Sequence, residues 1–222
     1  MPYLIDDNNP VFPHPLLADD DGLLAVGGKI TPEFLMAAYK WGIFPWFDPS
    51  IHPVLWWFPK IRPVFFPGQV KVSKSMRRWF RRHSYYKITV NKAFDEVVYH
   101  CAEQPGRKER GSWLTPELQE AVKHLFRLGF AHSVEVWNQE DKLVGGLYGI
   151  VPGNGIFSGE SMFHLEPDTS KAALIYLVRN ARNLGFKLID GQVESAHLMS
   201  LGARLIPALE FLRLIRGGRV GL

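Results

Sequence analysis

The stretch Gly159-Glu160-Ser161-Met162-Phe163 decides how this chain is read, together with Leu188-Ile189-Asp190-Gly191-Gln192-Val193 further along. The first sets one carboxylate and one hydroxyl among apolar neighbours, in the pattern of an interior strand. The second does the same with Asp190 and Gln192. Side chains two apart on a strand share a face, so Asp190 and Gln192 are expected to project together, about 6–7 Å apart at the backbone. A carboxylate and an amide on the covered face of an apolar strand need hydrogen-bond partners or a task. Either they brace the sheet as a satisfied polar pair or they do chemistry.

Around these stretches the pattern is regular. Strands are expected at 132–137, 142–151 and 155–162, joined by the short turns Asn138-Gln139-Glu140-Asp141 and Pro152-Gly153-Asn154-Gly155. Ser170 is placed to cap a helix with Leu174, Leu177, Val178 and Ala181 on one stripe and Gly185 at its end. A strand over 186–193, a short helix around His197 and a C-terminal helix near 208–216 complete that half. Upstream, Ser73 caps a helix through about Arg82. Asn91 caps another, with Phe94, Val97, Val98 and Cys101 inward. A polar loop runs from Gln104 to Gly111. Thr115-Pro116 opens a third helix carrying Leu118, Ala121, Val122, Leu125 and Leu128, closed by Gly129. Residues 1–65 read as a small N-terminal domain, ending near Arg62-Pro63, with one clear helix from Thr31-Pro32 to Trp41-Gly42. Residues 66–222 read as a second domain. Helices, an antiparallel meander, a helix and a further strand describe an α+β sheet domain. The same order occurs in the GCN5-related N-acetyltransferase fold, an analogy of architecture that says nothing of chemistry.

With 222 residues, 46% of them hydrophobic, the chain can bury a sizeable core. No apolar run approaches the length of a membrane-spanning helix, and the acidic start Met1-Pro2-Tyr3-Leu4-Ile5-Asp6-Asp7 lacks the features of a signal peptide. A single cysteine, Cys101, excludes an internal disulfide, and the cytoplasm is the expected compartment. Net charge is only +4, but it is unevenly placed: seven basic residues and no acidic one lie between Lys71 and Lys87, while the first 21 residues carry five aspartates and no lysine or arginine. On the helix after Ser73, Lys74, Arg77, Arg78, Arg81 and Arg82 fall within an arc of about 140°, opposite Met76, Trp79 and Phe80. Such a face is either a solvated surface or a site for phosphates, and a nucleic-acid backbone is the natural partner.

Other chemistries find little support. His132, His164 and His197 have no metal-binding spacing, and no metal is expected. Ser161 is not in the Gly-x-Ser-x-Gly setting of a nucleophile elbow. Cys101 lies on the apolar face of its helix. The approach to the Ser170 helix, Phe163-His164-Leu165-Glu166-Pro167-Asp168-Thr169, holds no glycine and two acids, so the phosphate cradle of a coenzyme A site is missing.

Several blocks together resemble the leucyl/phenylalanyl-tRNA–protein transferase family: GLLAVGG (22–28), AYKWGIFPWF (38–47), GSWLTPEL (111–118), GFAHSVEVW (129–137), LVGGLYGI (143–150), FSGESMF (157–163), SKAAL (170–174), LIDGQV (188–193) and HLMSLGA (197–203). They run in order over most of the chain. Two positions depart from the family pattern. Phe58 stands where a serine is expected in Trp-Trp-Ser-Pro, and Gly191 stands where a cysteine is expected between Asp190 and Gln192. The second change is expected to matter little, because Gly191 would face away from its neighbours on a strand.

The resemblance implies an enzyme that transfers Leu or Phe, and less well Met, from aminoacyl-tRNA to the α-amino group of proteins beginning with Arg or Lys, marking them for degradation by the N-end rule. It implies no cofactor and no membrane partner, and a monomer is expected. It assigns Asp190 and Gln192 to the reaction centre, with Asp190 accepting a hydrogen bond from the Gln192 amide. It makes Glu160 the anchor of a substrate amine or terminal ribose. Tyr39, Trp46, Trp113 and Phe157 match positions around the 3′ adenosine and the pocket. Leu147, Met162, Leu174, Leu177 and Ile189 become the wall of an apolar donor pocket. Lys74, Arg77, Arg78, Arg81 and Arg82 become the tRNA-binding face. A coenzyme A-dependent N-acyltransferase and a non-catalytic RNA-binding protein are the alternatives.

Overall fold

The computed structural model describes residues 1–50, 53–104 and 113–217. The N-terminal part contains β1 (Tyr3–Ile5), β2 (Leu23–Gly27), α1 (Pro32–Tyr39), β3 (Phe44–Pro45) and β4 (Leu55–Trp57), its strands forming a small sheet in the order β1-β2-β4-β3. Then follow β5 (Ile61–Phe65), α2 (Lys74–Arg82), β6 (Lys87–Val90), α3 (Phe94–Ala102), α4 (Pro116–Arg127), β7 (Ala131–Trp137), β8 (Leu143–Ile150), β9 (Ile156–His164), α5 (Thr169–Asn180), β10 (Leu188–Asp190), α6 (Ala196–Ser200), β11 (Arg204–Pro207) and α7 (Ala208–Ile215). Seven strands form the main sheet in the order β11-β5-β10-β9-β8-β7-β6. Within this sheet, among the described residues, β9 and β10 pair in parallel and the other neighbours are antiparallel.

The meander is where its alternation places it. Every residue of β8 is buried, as a central strand covered on both faces requires. One core lies where α1, α3, α4, α7 and the small sheet meet the main sheet, and a second lies under α5 and α2. The caps expected at Thr31, Ser73 and Thr115 are made: their side chains accept from the N–H of Phe34, Met76 and Leu118 at 3.4, 3.1 and 3.2 Å. Gly42 ends the first helical turn region at φ +73, and its carbonyl is turned to Arg62.

Two caps differ from expectation. Asn91 does not cap α3. It sits in the left-handed region at φ 60, and the buried Glu135 of β7 instead accepts from the N–H of Lys92 and Ala93 at 3.2 and 3.4 Å. A carboxylate from a neighbouring strand thus meets the positive end of the helix. Helix α5 starts at Thr169 rather than after Ser170. The Thr169 hydroxyl donates to Val144 and Glu166 carbonyls, tying the helix start to β8.

Strands β5, β6 and β11 escape a reading by pattern. Pro63 and Pro207 break the expected signal, since proline cannot donate to a ladder. Pro63 is nevertheless tolerated between β10 and β11, where its carbonyl accepts from Gly191 at 2.8 Å. The loop expected from Gln104 onward lies outside the described residues beyond Gln104. Among the described residues, no helix is long and apolar enough to cross a membrane.

Candidate active site

The site arises where two parallel strands part. β10 pairs with β9 at three positions only, Leu188 with Ile156, Ile189 with Phe157 and Asp190 with Ser158. β10 ends there, while β9 continues to His164. The opening between the continuing strand and the chain from Gly191 to Leu198 is a cavity of about 290 Å³, walled by Leu147, Phe157, Met162, Leu174, Leu177 and Ile189. A second cavity, of about 200 Å³, is lined by Phe44, Pro45, Trp46, Trp113 and Gln192. Gly159, Glu160, Gly191 and Val193 belong to both linings. Glu160 therefore stands at the neck between an apolar chamber and an aromatic one.

A β-bulge puts it there. Tyr148 of β8 faces Ser161 and Gly149 faces Gly159, leaving Glu160 as the extra residue. Such a bulge re-aims a side chain out of strict alternation. Two donors converge on Glu160 Oε1: the hydroxyl of Tyr39 and the side-chain Nε2 of Gln192, both at 2.6 Å. Burial raises the Glu160 carboxyl to about 7; the two hydrogen bonds and Arg62 act downward, and the charge of Asp190 adds to the rise. Tyr39 moves the same way, well above the ordinary phenol value, through burial and the adjacent Glu160. Its phenol stays protonated and keeps donating.

Asp190 is fully buried and faces Arg62 of β5, which is 1% exposed. The guanidinium grips both carboxylate oxygens, Nε to Oδ1 at 3.2 Å and Nη2 to Oδ2. Its Nη1 donates to the Gly42 carbonyl at 3.0 Å. The rings of Phe211, Phe44 and Phe58 surround it, with centroids 4.5, 5.1 and 5.6 Å from Cζ. A forked pair in an aromatic box is a site that suits arginine and not lysine. Asp190 Oδ1 also accepts the backbone N–H of Gln192 at 2.9 Å, which holds Gln192 at φ 62. A non-glycine residue in that region persists only where its surroundings over-determine it.

The structure brings Glu160, Asp190 and Gln192 together, but not as the strand pattern predicts. The strand stops at Asp190, so Asp190 and Gln192 do not share a face. The Gln192 side-chain amide donates to Glu160, and Asp190 takes only the backbone N–H of Gln192. Leu147, Phe157, Met162, Leu174, Leu177 and Ile189 all line the first cavity, and Trp46 and Trp113 the second. Tyr39 lines neither; its ring is buried behind Glu160. Gly191 does not face idly away. A Cβ there would lie 2.6 Å from Cδ1 of Leu198, a residue of the first cavity's wall. Arg62 was missed by sequence reasoning; its one signal is a cation inside the apolar run Ile61-Arg62-Pro63-Val64-Phe65-Phe66. Ser195, His197 and Leu198, also in the wall, were not among the expected site residues.

Away from the cavities, α2 keeps Met76 buried and Trp79 and Phe80 against the second core. Lys74, Arg77, Arg78, Arg81 and Arg82 are all exposed, and none pairs with a carboxylate among the described residues.

A family model described as leucyl/phenylalanyl-tRNA protein transferase matches residues 64–216, and one described as that family's N-terminal domain matches residues 28–60. The chain belongs to the leucyl/phenylalanyl-tRNA–protein transferase family. It is 49% identical over 207 residues to the protein of that name from Shewanella baltica (strain OS185), and 48% identical over 206 residues to that of Shewanella sp. (strain MR-4). Each match covers 92% of this chain and 85% of the relative. The protein is thus an enzyme, an aminoacyl-tRNA–protein transferase. Solved structures of similar shape are remote. L-PGS from Bacillus licheniformis gives a TM-score of 0.42 at 10% identity, covering 78% of this transferase and 53% of that chain. A GCN5-related N-acetyltransferase-like protein from Streptococcus suis 89/1591 gives 0.36 at 11% identity, covering 74% and 59%. The transferase spans a little over half the length of those two chains. At scores this low, the architecture rests on its own strand order.

The buried pair sets a stability prediction. Replacing Arg62 by Met leaves Asp190 charged and unpaired, and should lower the unfolding free energy by roughly 3–5 kcal/mol. Arg62→Met combined with Asp190→Asn should be less destabilised than Arg62→Met alone, because no buried charge is then left over. Urea titration of the wild type, Arg62→Met, Asp190→Asn and the double variant decides it; strictly additive losses would show that the two side chains do not depend on each other.

Proposed function

We propose that the enzyme moves Leu or Phe, and less well Met, from the 3′ end of tRNA to the α-amine of proteins that begin with Arg or Lys. This would mark those proteins for degradation in the cytoplasm. The observation that carries the reading is the position of Glu160 at the neck between the two cavities, hydrogen-bonded to Gln192 of the second. An aminoacyl-adenosine has the same three parts: an apolar side chain, a reactive ester and an aromatic base. The apolar cavity suits the first, Trp46 and Trp113 offer stacking faces for the last, and the neck falls at the ester.

The reaction is aminolysis of an ester. The acceptor amine attacks the carbonyl carbon, a C–N bond forms, the C–O bond to the ribose breaks, and the ribose 3′ oxygen leaves with a proton given up by the amine. The ester is already activated, so the enzyme's main contribution is positioning. With Nε2 of Gln192 spent on Glu160, its carbonyl oxygen is left to accept from the incoming amine. An amide oxygen is too weak a base to hold the proton, so Gln192 orients. Glu160 receives a donor of the substrate, an amine or a ribose hydroxyl, while Tyr39 and Gln192 fix the carboxylate. Asp190 acts through the backbone of Gln192, and Arg62 through Asp190.

Radiolabelled Leu-tRNA with an Arg-starting acceptor, and separately acetyl-CoA with the same acceptor, test the assignment. Transfer of label from the tRNA to the Arg-starting acceptor is expected, with no acetylation; failure to label that acceptor would overturn the proposed acceptor class.

Glu160 gives the reaction a pH signature. Its carboxyl titrates at about 7, so the carboxylate is lost as pH falls through that value. The acceptor's α-amine separately loses its reactive free base below about 8. The logarithm of kcat/KM should then rise with a slope of about two at acid pH in the wild type and about one in Glu160→Gln. Equal slopes would remove Glu160 from the set of groups whose charge matters.

The basic face of α2 belongs to the body of the tRNA in this reading. Reversing Arg77 and Arg78 to Glu should weaken tRNA binding and lower the log–log salt slope by roughly 0.7–0.9 for each phosphate no longer neutralised. Transfer from a minimal aminoacyl-adenosine should change little. Equal losses with both donors would put α2 at the reaction centre.

Met162 lines the apolar cavity opposite Leu147 across β8 and β9. Met162→Ala should weaken Leu transfer by roughly 1–3 kcal/mol in transition-state binding and raise transfer of β-branched Ile relative to Leu, because a wider cavity admits the branch. The ratio of turnover on Leu-tRNA to that on Ile-tRNA is the measurement. An unchanged ratio in a folded protein would take Met162 out of the donor pocket.

A further inference from the structure

Past the last turn of α2 the chain carries a group of rings that the basic face does not account for. Residues 79–86 read Trp-Phe-Arg-Arg-His-Ser-Tyr-Tyr. His83 closes the helix: its N–H donates to the Trp79 carbonyl at 2.9 Å, and its ring stacks on the Trp79 indole with centroids 4.6 Å apart and planes 25° apart. Tyr86 stands across both, 5.3 Å from Trp79 at 85° and 5.0 Å from His83 at 70°. Its hydroxyl donates to the Glu166 carboxylate, which also accepts from the Asn138 amide at 2.9 Å. The Glu166 carbonyl in turn takes the hydroxyl of Thr169, the first residue of α5. Trp79 and Tyr86 pack against the second core. The cluster is thus held from below and tied at its side to the start of α5.

Tyr85 is the ring left over. It meets Tyr86 at 5.2 Å and 61° and His83 at 6.0 Å and 56°, steep contacts that orient the ring without stacking a neighbour on it. It is 47% exposed. An exposed tyrosine alone needs no explanation, but this one has particular neighbours. It lies three residues past Arg82, at most about 11 Å along the chain. Arg77, Arg78, Arg81 and Arg82 are exposed and pair with no carboxylate among the described residues, and no acid occurs between Lys71 and Lys87. A fixed aromatic ring beside a row of free cations suits a nucleic-acid strand, because the cations neutralise phosphates and the ring stacks on a base. A base inside a duplex is already stacked on its neighbours, so the ring needs an unpaired one.

We propose that Tyr85 is a base-stacking site, which takes an unpaired base of the donor tRNA's body while the cations of α2 hold the adjoining phosphates. This rests on the reading that α2 meets the tRNA body. A stacked base brings no counterion release of its own, so Tyr85 adds affinity without adding to the salt dependence, unlike the arginines.

The test is a salt titration of binding to Leu-tRNA, and to a fully paired RNA duplex, by the wild type, Tyr85→Ala and Tyr85→Phe. Transfer from leucyl-adenosine and thermal midpoints are measured alongside. Tyr85→Ala should weaken Leu-tRNA binding about ten-fold at every salt concentration and leave the log–log salt slope unchanged. Tyr85→Phe, which keeps the ring, should bind within about two-fold of the wild type. The loss should be absent on the duplex, which offers no unpaired base, and in transfer from leucyl-adenosine, which has no body. Unchanged affinity of Tyr85→Ala for Leu-tRNA would overturn the proposal. So would a loss shared by Tyr85→Phe, which would assign the contact to the hydroxyl, a lowered salt slope, or an equal loss on the duplex or on leucyl-adenosine. Arg77→Glu with Arg78→Glu, titrated in parallel, separates the two levels. If that pair lowers the slope and Tyr85→Ala changes nothing, α2 holds the tRNA and Tyr85 stacks no base. If neither has an effect, both readings fall.

Discussion

The buried contact between Arg62 and Asp190 is the interaction on which the rest of the site depends. It joins three parts of the chain. Arg62 comes from β5 and Asp190 from the end of β10, while the third guanidinium nitrogen holds Gly42, just beyond α1. The rings around it come from the small sheet, from the link between the sheets and from α7. Taking both charges out of water is costly, and their attraction offsets that cost only with good geometry and further hydrogen bonds. Those bonds are made, and each does something for the site. The one to Gly42 anchors the end of the helix that carries Tyr39. The one from Asp190 to the Gln192 N–H fixes a residue in a strained conformation. A pair that would be a poor source of stability taken alone is thus a good source of position.

From that anchor, the arrangement around Glu160 follows. The bulge in β9 turns the carboxylate into the neck, and the same oxygen then receives Tyr39 from one side and Gln192 from the other. Three elements far apart in sequence are locked by two hydrogen bonds to one atom. Burial works against the charge and lifts the carboxyl to about 7, which leaves the group divided between its two forms near neutral pH. A carboxyl of that kind is sensitive to what enters the neck. A cationic or hydroxyl donor at the second oxygen stabilises the charged form, and an empty neck favours the neutral one.

Most of this architecture was legible, and the gaps have physical causes. The meander β7-β8-β9 and the helices α1, α2 and α4 follow period and capping residues, because burial of one face and satisfaction of end groups are local demands. The expected cavity wall came from the family resemblance, and the stripe of α5 and the inward positions of β9 agree with it. Alternation failed at two points. The bulge at Glu160 and the left-handed Gln192 both break a period of two, and neither glutamate nor glutamine announces a break as glycine would. The partner of Asp190 was illegible because a salt bridge between β5 and β10 is a tertiary fact. Pro63, next to Arg62, also masked the strand that presents it. Likewise the carboxylate that holds the turn leading into α3 is Glu135 on another strand, where no local pattern could show it.

The parting of β9 and β10 explains why cavity and chemistry coincide. Two parallel strands that stay paired leave no room between them, and two that never pair give no fixed geometry. Here three paired positions set the register, and the break comes directly after Asp190. Beyond it the backbone groups of β9 lose their partner strand on that side, and the bulge falls in the same segment. The apolar floor is supplied by α5, whose Leu174 and Leu177 would otherwise face a closed sheet. A chamber formed in this way is lined mostly by side chains whose backbones are held in strands or helices, with the irregular segment carrying Gly191, Val193 and Ser195 closing the remaining side. For an aminolysis whose ester arrives already activated, pre-set geometry at the junction of an apolar and an aromatic chamber is the main requirement the protein must meet.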